Sequence, residues 1–170
     1  MFTDPVTNLK TLGLDDNAIV ADLGAGTGFY SIAAAHLVPR GKVYAVEVVK
    51  DMLAKVKNKA HDAHVSNVEC IWGDIEKIGG TKIRDRIADL VILSNILFQV
   101  EHKENLIEET KRILKPGGKV LFIDWLPGGM AGFGVIAKED VKIMFEKKGF
   151  VVQRDIPAGD HHYGMILAKT

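Results

Sequence analysis

Apolar positions along this chain alternate between two periods. Short runs rich in Val and Ile recur between longer stretches in which apolar residues return about every three to four positions. The short runs predict strands from Ile19 to Leu23, Lys42 to Val46, Val68 to Trp72, Ala88 to Leu93 and Lys119 to Ile123, each apolar enough to be buried on both faces. The longer stretches predict helices with one apolar stripe. Phe29, Ile32, Ala33 and Leu37 share one face of the first, and Met52, Leu53, Val56 and Ala60 one face of the second. Leu106, Ile107, Thr110, Ile113 and Leu114 form a third stripe; Val141, Met144 and Phe145 form the last. Ahead of these, Asp4 as N-cap, Pro5 at the first helical position and Gly13 as a stop predict a short leading helix.

Strands alternating with helices imply an α/β class with a parallel sheet between two helical layers. The alternation breaks at the end. Phe150 to Ile156 and Tyr163 to Ala168 are separated by only Pro157-Ala158-Gly159-Asp160-His161-His162, too short for a crossover helix, so they form an antiparallel hairpin at one sheet edge. Pro127 to Gly134, rich in glycine, reads as a loop over the site.

Composition narrows this frame. A chain of 170 residues, 47% hydrophobic and 26% charged, fits one domain over residues 1–170. Its 22 basic and 22 acidic side chains cancel, which removes the global field that would gather a nucleic acid. Cys70 is the single cysteine, consistent with a buried thiol in a reducing cytoplasm and with no multi-cysteine metal site. No run is long enough to span a membrane and the N-terminus carries Asp4 and Pro5 where a signal would be basic and apolar, so the chain reads as soluble and unprocessed.

In a parallel sheet the carboxyl ends of the strands share one edge, and residues just past them converge. Asp22, Glu47, Asp74 and Asp124 all fall at such ends. Singly, each reads as a helix cap or solvated loop residue; four in register point to a ligand. The loop Asp22-Leu23-Gly24-Ala25-Gly26-Thr27-Gly28 follows the first strand and opens the first helix. Gly24 permits the tight turn, Gly26 lets a ligand approach the backbone, and Gly28 packs the helix start close to the sheet. The helix N-terminus offers amides and partial positive charge to a ligand carboxylate.

Spacing decides which ligand. The dinucleotide fingerprint wants a third glycine where Phe29 stands, whereas Gly24, Gly26 and Gly28 fit a nucleoside bearing an amino acid. Glu47 is placed to accept from both ribose hydroxyls, since a carboxylate has two acceptor oxygens. Asp74 is placed to accept from an adenine amine, with Ile75 packing on the base.

These segments, with Ala88-Asp89-Leu90-Val91-Ile92-Leu93-Ser94-Asn95 and Arg112-Ile113-Leu114-Lys115-Pro116-Gly117-Gly118-Lys119-Val120-Leu121, run in the order found in one family. The sequence resembles the class I S-adenosylmethionine-dependent methyltransferases, in flavour the ubiquinone/menaquinone-biosynthesis type. The resemblance implies a Rossmann-like three-layer sandwich, a seven-stranded mostly parallel sheet of order 3-2-1-4-5-7-6 with strand 7 antiparallel. It also implies S-adenosylmethionine as cofactor, held by Gly24, Gly26, Glu47, Asp74 and the Ser94-Asn95 region, and methyl transfer to a small molecule. Lys115-Pro116-Gly117-Gly118 precedes the fifth strand at the opposite pole and reads as a tight turn. An NAD-linked oxidoreductase and a non-catalytic S-adenosylmethionine-binding module or partner subunit stand as alternatives.

Methyl transfer is an in-line displacement that chiefly needs alignment, helped by a base when the acceptor must lose a proton. His161 and His162, beside Asp160 and Tyr163 in the hairpin turn, fall at the ligand pole and offer a base, a metal site or substrate contacts. The plainer reading is an exposed polar hairpin tip. Adjacent strand residues face opposite ways, so one histidine at most faces the site, which also disfavours a metal. Asp124 and Trp125 are placed to orient substrate, with core packing the alternative for Trp125. His102 is a pole-side candidate or a helix cap; His36, His61 and His64 read as surface residues. The lead before the first strand is short, so Phe2, the Pro127 to Gly134 loop and the histidine turn, or a second subunit, must enclose the acceptor.

Overall fold

The computed structural model describes residues 4–170. Asp4 accepts hydrogen bonds from the Val6 and Thr7 amides at 3.3 and 3.2 Å and so starts α1 (Pro5–Lys10). The chain continues through β1 (Ile19–Leu23), α2 (Phe29–Leu37), β2 (Lys42–Glu47), α3 (Lys50–Asp62), β3 (Val68–Trp72) and β4 (Ala88–Ser94). It closes with α4 (Lys103–Ile113), β5 (Leu114–Trp125), α5 (Lys138–Glu146), β6 (Phe150–Ile156) and β7 (His162–Lys169). The seven strands form one sheet in the order β3-β2-β1-β4-β5-β7-β6. Only β7 runs antiparallel, pairing with β5 and β6, as the closing hairpin requires.

The pleat divides the core in two. Ala21, Leu23, Val91, Leu93, Val120 and Phe122 point to one face, where they meet Leu106 and Ile107 of α4 and Val141 and Phe145 of α5. There Phe145 packs edge-on against Phe122 and Phe150, with ring centroids 5.7 and 5.3 Å apart. Val20, Val43, Leu90, Ile92, Leu121 and Ile123 point to the other face and meet Leu9 of α1 and Ala33, Ala34 and Ala35 of α2. No described helix is long and apolar enough to cross a membrane.

Four local expectations need correcting. Strand β3 is an edge strand, none of its residues is fully buried, and Trp72 is 52% exposed. Cys70 on that strand is accordingly only half-buried. Helix α2 buries its small residues, Ser31 and Ala33 to Ala35, and leaves Phe29 68% exposed. Residues 115–118 do not make a simple turn before β5. They bulge from within it, opposite the single Asp89 that separates the pairs Ala88–Leu114 and Leu90–Lys119, and Lys115 Nζ holds that aspartate at 2.7 Å.

Candidate active site

The carboxyl ends of β1, β2, β3 and β4 open onto a cavity of about 880 Å³. Asp22, Gly24, Gly26, Glu47, Asp74, Ile75 and Ser94 all line it, together with His162. Its size lies in the upper part of the range of about 300–1,000 Å³ usual for small-molecule sites.

Each of these side chains is set by a local constraint. Asp22 shares the pleat face of Val20, so its buried carboxylate meets α2, where the Ser31 hydroxyl donates to it at 2.6 Å. Burial pushes its pKa up to about 6; the Ser31 bond opposes this and the negative charge of Glu47 adds to it. Glu47 closes β2 and is itself buried. Its Oε2 accepts from the Gly26 amide at 2.9 Å, and its Oε1 from the Val48 and Val49 amides at 2.9 and 3.0 Å. The glutamate therefore fastens the glycine loop to β2, a tie that sequence reasoning did not supply.

The glycines divide the work. A Cβ on Gly24 would stand 2.6 Å from the Ile96 side chain, whereas one on Gly26 would meet nothing within 4 Å. Both have positive φ, +73° and +56°. Gly28 does not line the cavity and abuts α3, not the sheet. A Cβ there would press on the Val56 side chain at 3.1 Å.

Asp74 follows β3, and its carboxylate accepts from the Glu76 amide at 2.9 Å, with Lys77 Nζ at 3.4 Å. Gly73 must be small, because a Cβ would stand 2.6 Å from the Gly80 carbonyl oxygen. Ile75 is buried beneath the cavity floor near Gly24. Beyond Ser94, Asn95 takes a φ of +55°, and its amide donates to the Ile123 carbonyl at 2.8 Å. Its buried Oδ1 has no hydrogen-bond partner among the described residues, so an acceptor stands ready at the cavity wall.

At the far wall the pleat sorts the remaining candidates. Trp125 and His162 are cross-strand partners on the α1/α2 side, with ring centroids 4.0 Å apart and His162 buried. Burial, then the nearby His161, holds the His162 imidazole below its ordinary pKa. Asp124 and Tyr163 are the next pair and point to the opposite face. Asp124 is buried there against the amides of Trp125, Phe98 and Leu97; burial raises its pKa to about 6 and those amides oppose the rise. It does not line the cavity, contrary to the expectation that it orients substrate there. His161 is exposed on the turn, outside the cavity, and its carbonyl accepts from the Leu126 amide at 2.9 Å.

Other expectations sort in the same way. His102 occupies the N-cap position of α4, while His36, His61 and His64 are exposed. Residues 127–134 are largely exposed and contribute nothing to the cavity lining, contrary to the expected cover. Phe2, the other expected cover, lies outside the described residues. Sequence reasoning missed Pro5 of α1 and Tyr30 of α2, which line the cavity because α1 packs across α2. The Asn8 amide nitrogen of α1 donates to the Tyr30 hydroxyl at 3.0 Å and joins the two helices there. Among the described residues no group of three or more His, Cys, Asp or Glu could hold a metal ion.

Charge separates the two candidate cofactors. The described cavity lining holds four carboxylates, Asp22, Glu47, Asp74 and Glu76, and neither lysine nor arginine. A pyrophosphate would meet like charge, whereas a ligand with an ammonium and a sulfonium would meet opposite charge. Residues 14–151 match the family model described as "Methyltransferase domain". The chain belongs to the class I S-adenosylmethionine-dependent methyltransferases.

Within that family, a SAM-dependent methyltransferase from Aquifex aeolicus superposes with a TM-score of 0.88 at 28% identity, covering 99% of this chain and 90% of that one. The arsenite methyltransferase of Halobacterium salinarum is 29% identical over 77% of this chain and 37% of its own length. The ubiquinone/menaquinone biosynthesis C-methyltransferase UbiE of Pseudomonas fluorescens is 34% identical over 62% of this chain and 41% of its own. The chain thus spans well under half the length of these two curated relatives. The methyltransferase cofactor is S-adenosylmethionine. The buried Asn95 acceptor, the raised Asp22 and the open backbone at Gly26 all suit such a cationic nucleoside.

Proposed function

We propose that this chain transfers a methyl group from S-adenosylmethionine to a small-molecule acceptor. The observation that carries the reading is a cavity beside the glycine loop that has four carboxylates and no lysine or arginine among its described lining residues. In this reading Asp22 faces the ammonium of the methionine moiety, and the backbone at Gly24 and Gly26 lies along it, with Gly28 setting the start of α2. Glu47 keeps lone pairs beyond its three amide bonds for the ribose hydroxyls. Asp74 accepts from the adenine amine, Ile75 packs under the base and Ser94 borders the methionine. The donor supplies an electrophilic methyl group; the chain orients it and keeps its positive charge company.

Relatives named for arsenite and for quinone biosynthesis suggest small acceptors. The cavity favours an organic one over a thiophilic metalloid, because Cys70, the sole cysteine, lies outside it. The balanced net charge argues against nucleic acid, and a free thiol is at home in the cytoplasm. Calorimetry tests the cofactor directly. S-adenosylhomocysteine should bind far more tightly than NADH, and Glu47→Ala or Asp74→Ala should each weaken it by about 1–3 kcal/mol. No binding of S-adenosylmethionine or S-adenosylhomocysteine at millimolar concentration would remove the proposal.

A further inference from the structure

The cavity wall has two chemically distinct parts. Its four carboxylates come from the ends of β1 and β2 and from the segment after β3, the part assigned above to the cofactor. The remainder includes Pro5, Tyr30, Ile123, Ala158 and His162, contributed by α1, α2, β5 and the hairpin. Of these five residues, only Tyr30 and His162 carry a polar side-chain group. The Tyr30 hydroxyl accepts from Asn8, and burial raises its pKa to about 12, so it stays a neutral phenol. His162 is the only imidazole among the described lining residues.

We propose that His162 is the general base for a neutral hydroxyl compound, which enters along the wall of Pro5, Tyr30, Ile123 and Ala158 and is methylated on oxygen. This rests on the methyltransferase reading above. Three observations lead to it.

First, an anionic acceptor would lose its hydration beside four carboxylates, with no lysine or arginine among the described lining residues to compensate. Second, a protonated amine would be drawn to the same carboxylates that the donor needs. Third, a hydroxyl is a poor nucleophile until it loses its proton, and the wall holds one side chain suited to take it. The imidazole is buried and packed against the Trp125 ring on the strand opposite, which fixes its plane. Burial, and after it the charge of His161, lowers its pKa and so favours the neutral imidazole that a base must be.

The step balances. The acceptor O–H proton passes to a ring nitrogen of His162 as the oxygen bonds to the methyl carbon. The sulfur–methyl bond breaks, and its electron pair stays on sulfur as a thioether. The charge of the sulfonium ends on the imidazolium, which returns its proton to water.

The test uses the full chain, S-adenosylmethionine and a panel built on shared one- and two-ring aromatic scaffolds, each carried as a phenol, a benzylamine and a benzoate. Phenols should be methylated in preference to the other two series. His162→Gln, which cannot accept the proton, should lower kcat on phenols by about 10²- to 10⁴-fold. It should leave the affinity for S-adenosylhomocysteine unchanged and weaken phenol binding to the S-adenosylhomocysteine complex. His162→Ala should behave alike and regain activity on addition of imidazole, a rescue that a purely structural role would not give. Thermal melting of both variants checks their folding.

The inference is overturned if His162→Gln keeps the wild-type kcat, if His162→Ala is folded yet not rescued, or if benzoates or benzylamines are preferred. It is also overturned if the wild-type chain binds S-adenosylhomocysteine but methylates no phenol. Absence of S-adenosylhomocysteine binding would instead bring down the cofactor reading beneath it.

Discussion

Glu109 and Asp22 are the same chemical group in comparable burial, and their surroundings drive them in opposite directions. Glu109, on α4, is fully buried and accepts from the Gly79 and Thr81 amides, the Thr81 hydroxyl, and Arg112 at 2.7 and 2.8 Å. Burial alone would raise its pKa, but Arg112, Thr81 and Gly79 together hold it below the usual carboxylate value. Arg112 also reaches Asp85 and the Ile83 carbonyl, so the cluster pins the β3–β4 connection to α4. Asp22 has Ser31 as its hydrogen-bonding side chain and another carboxylate, Glu47, nearby. A buried acid with a full set of partners is scaffold. One whose surroundings favour the neutral form has room for a cation from outside.

The comparison breaks first at Glu109. Truncation to Ala would leave Arg112 without its main partner and should cost about 3–5 kcal/mol in urea unfolding, with a fall in Tm on the order of 10 °C. A stable Glu109→Ala would mean that the cluster is ornamental.

Asp22→Asn should show the opposite pattern, with S-adenosylhomocysteine Kd rising roughly 10- to 100-fold while the ligand-free protein gains about 1–3 kcal/mol at pH 7. The sign follows from linkage. The folded pKa, about 6, lies above the ordinary 3.8, so the native state binds more protons in that interval. Stability from this group is fully present below the lower value and is lost as pH rises through about 6. A ligand ammonium beside Asp22 reverses the preference, so the melting shift on adding S-adenosylhomocysteine should be larger at pH 7.5 than at pH 5. A pH-independent shift would detach Asp22 from the ligand.

The smallest effect is expected at Asp124, whose pKa is likewise raised to about 6 by burial but whose carboxylate faces away from the cavity. Asp124→Asn should add about 1–2 kcal/mol at pH 7 and leave S-adenosylhomocysteine affinity unchanged. Weaker binding would show that the two faces of the sheet communicate.

Much of the fold was legible because its strands are continuous apolar runs. Ile19–Leu23, Val68–Trp72 and Phe150–Ile156 begin and end where the pattern placed them. What periodicity does not carry is which neighbours a strand finds. The exposure of Trp72 follows from the place of β3 at the sheet edge, a property of strand order. The error at Phe29 arose because α2 is apolar on several sides, and close packing against the sheet selected its small residues.

At the site, glycine spacing and the acids at strand ends were readable, since parallel topology gathers them at one pole. Asp124 reads from sequence as a residue that orients substrate because strand ends fix the pole, while the face depends on the pleat: Asp124 pairs with Tyr163 on one side of the sheet and Trp125 with His162 on the other. Tyr30 carried no motif, and Pro5 carried only a helix-start signal. They reach the cavity through the docking of α1 on α2, which no short window of sequence encodes.

The pleat has one more consequence. The sheet side chains that line the cavity, Asp22, Glu47, Ser94, Ile123 and His162, lie on the α1/α2 face, whereas the aromatic packing of Phe122, Phe145, Phe150 and Tyr163 lies behind it. The sheet therefore separates the face that carries the site, along with one of the two core clusters, from the face of aromatic packing. Substitutions at the cavity wall can be offset from across the sheet, so tightening the aromatic layer should widen the range of acceptors that evolution, natural or directed, can explore.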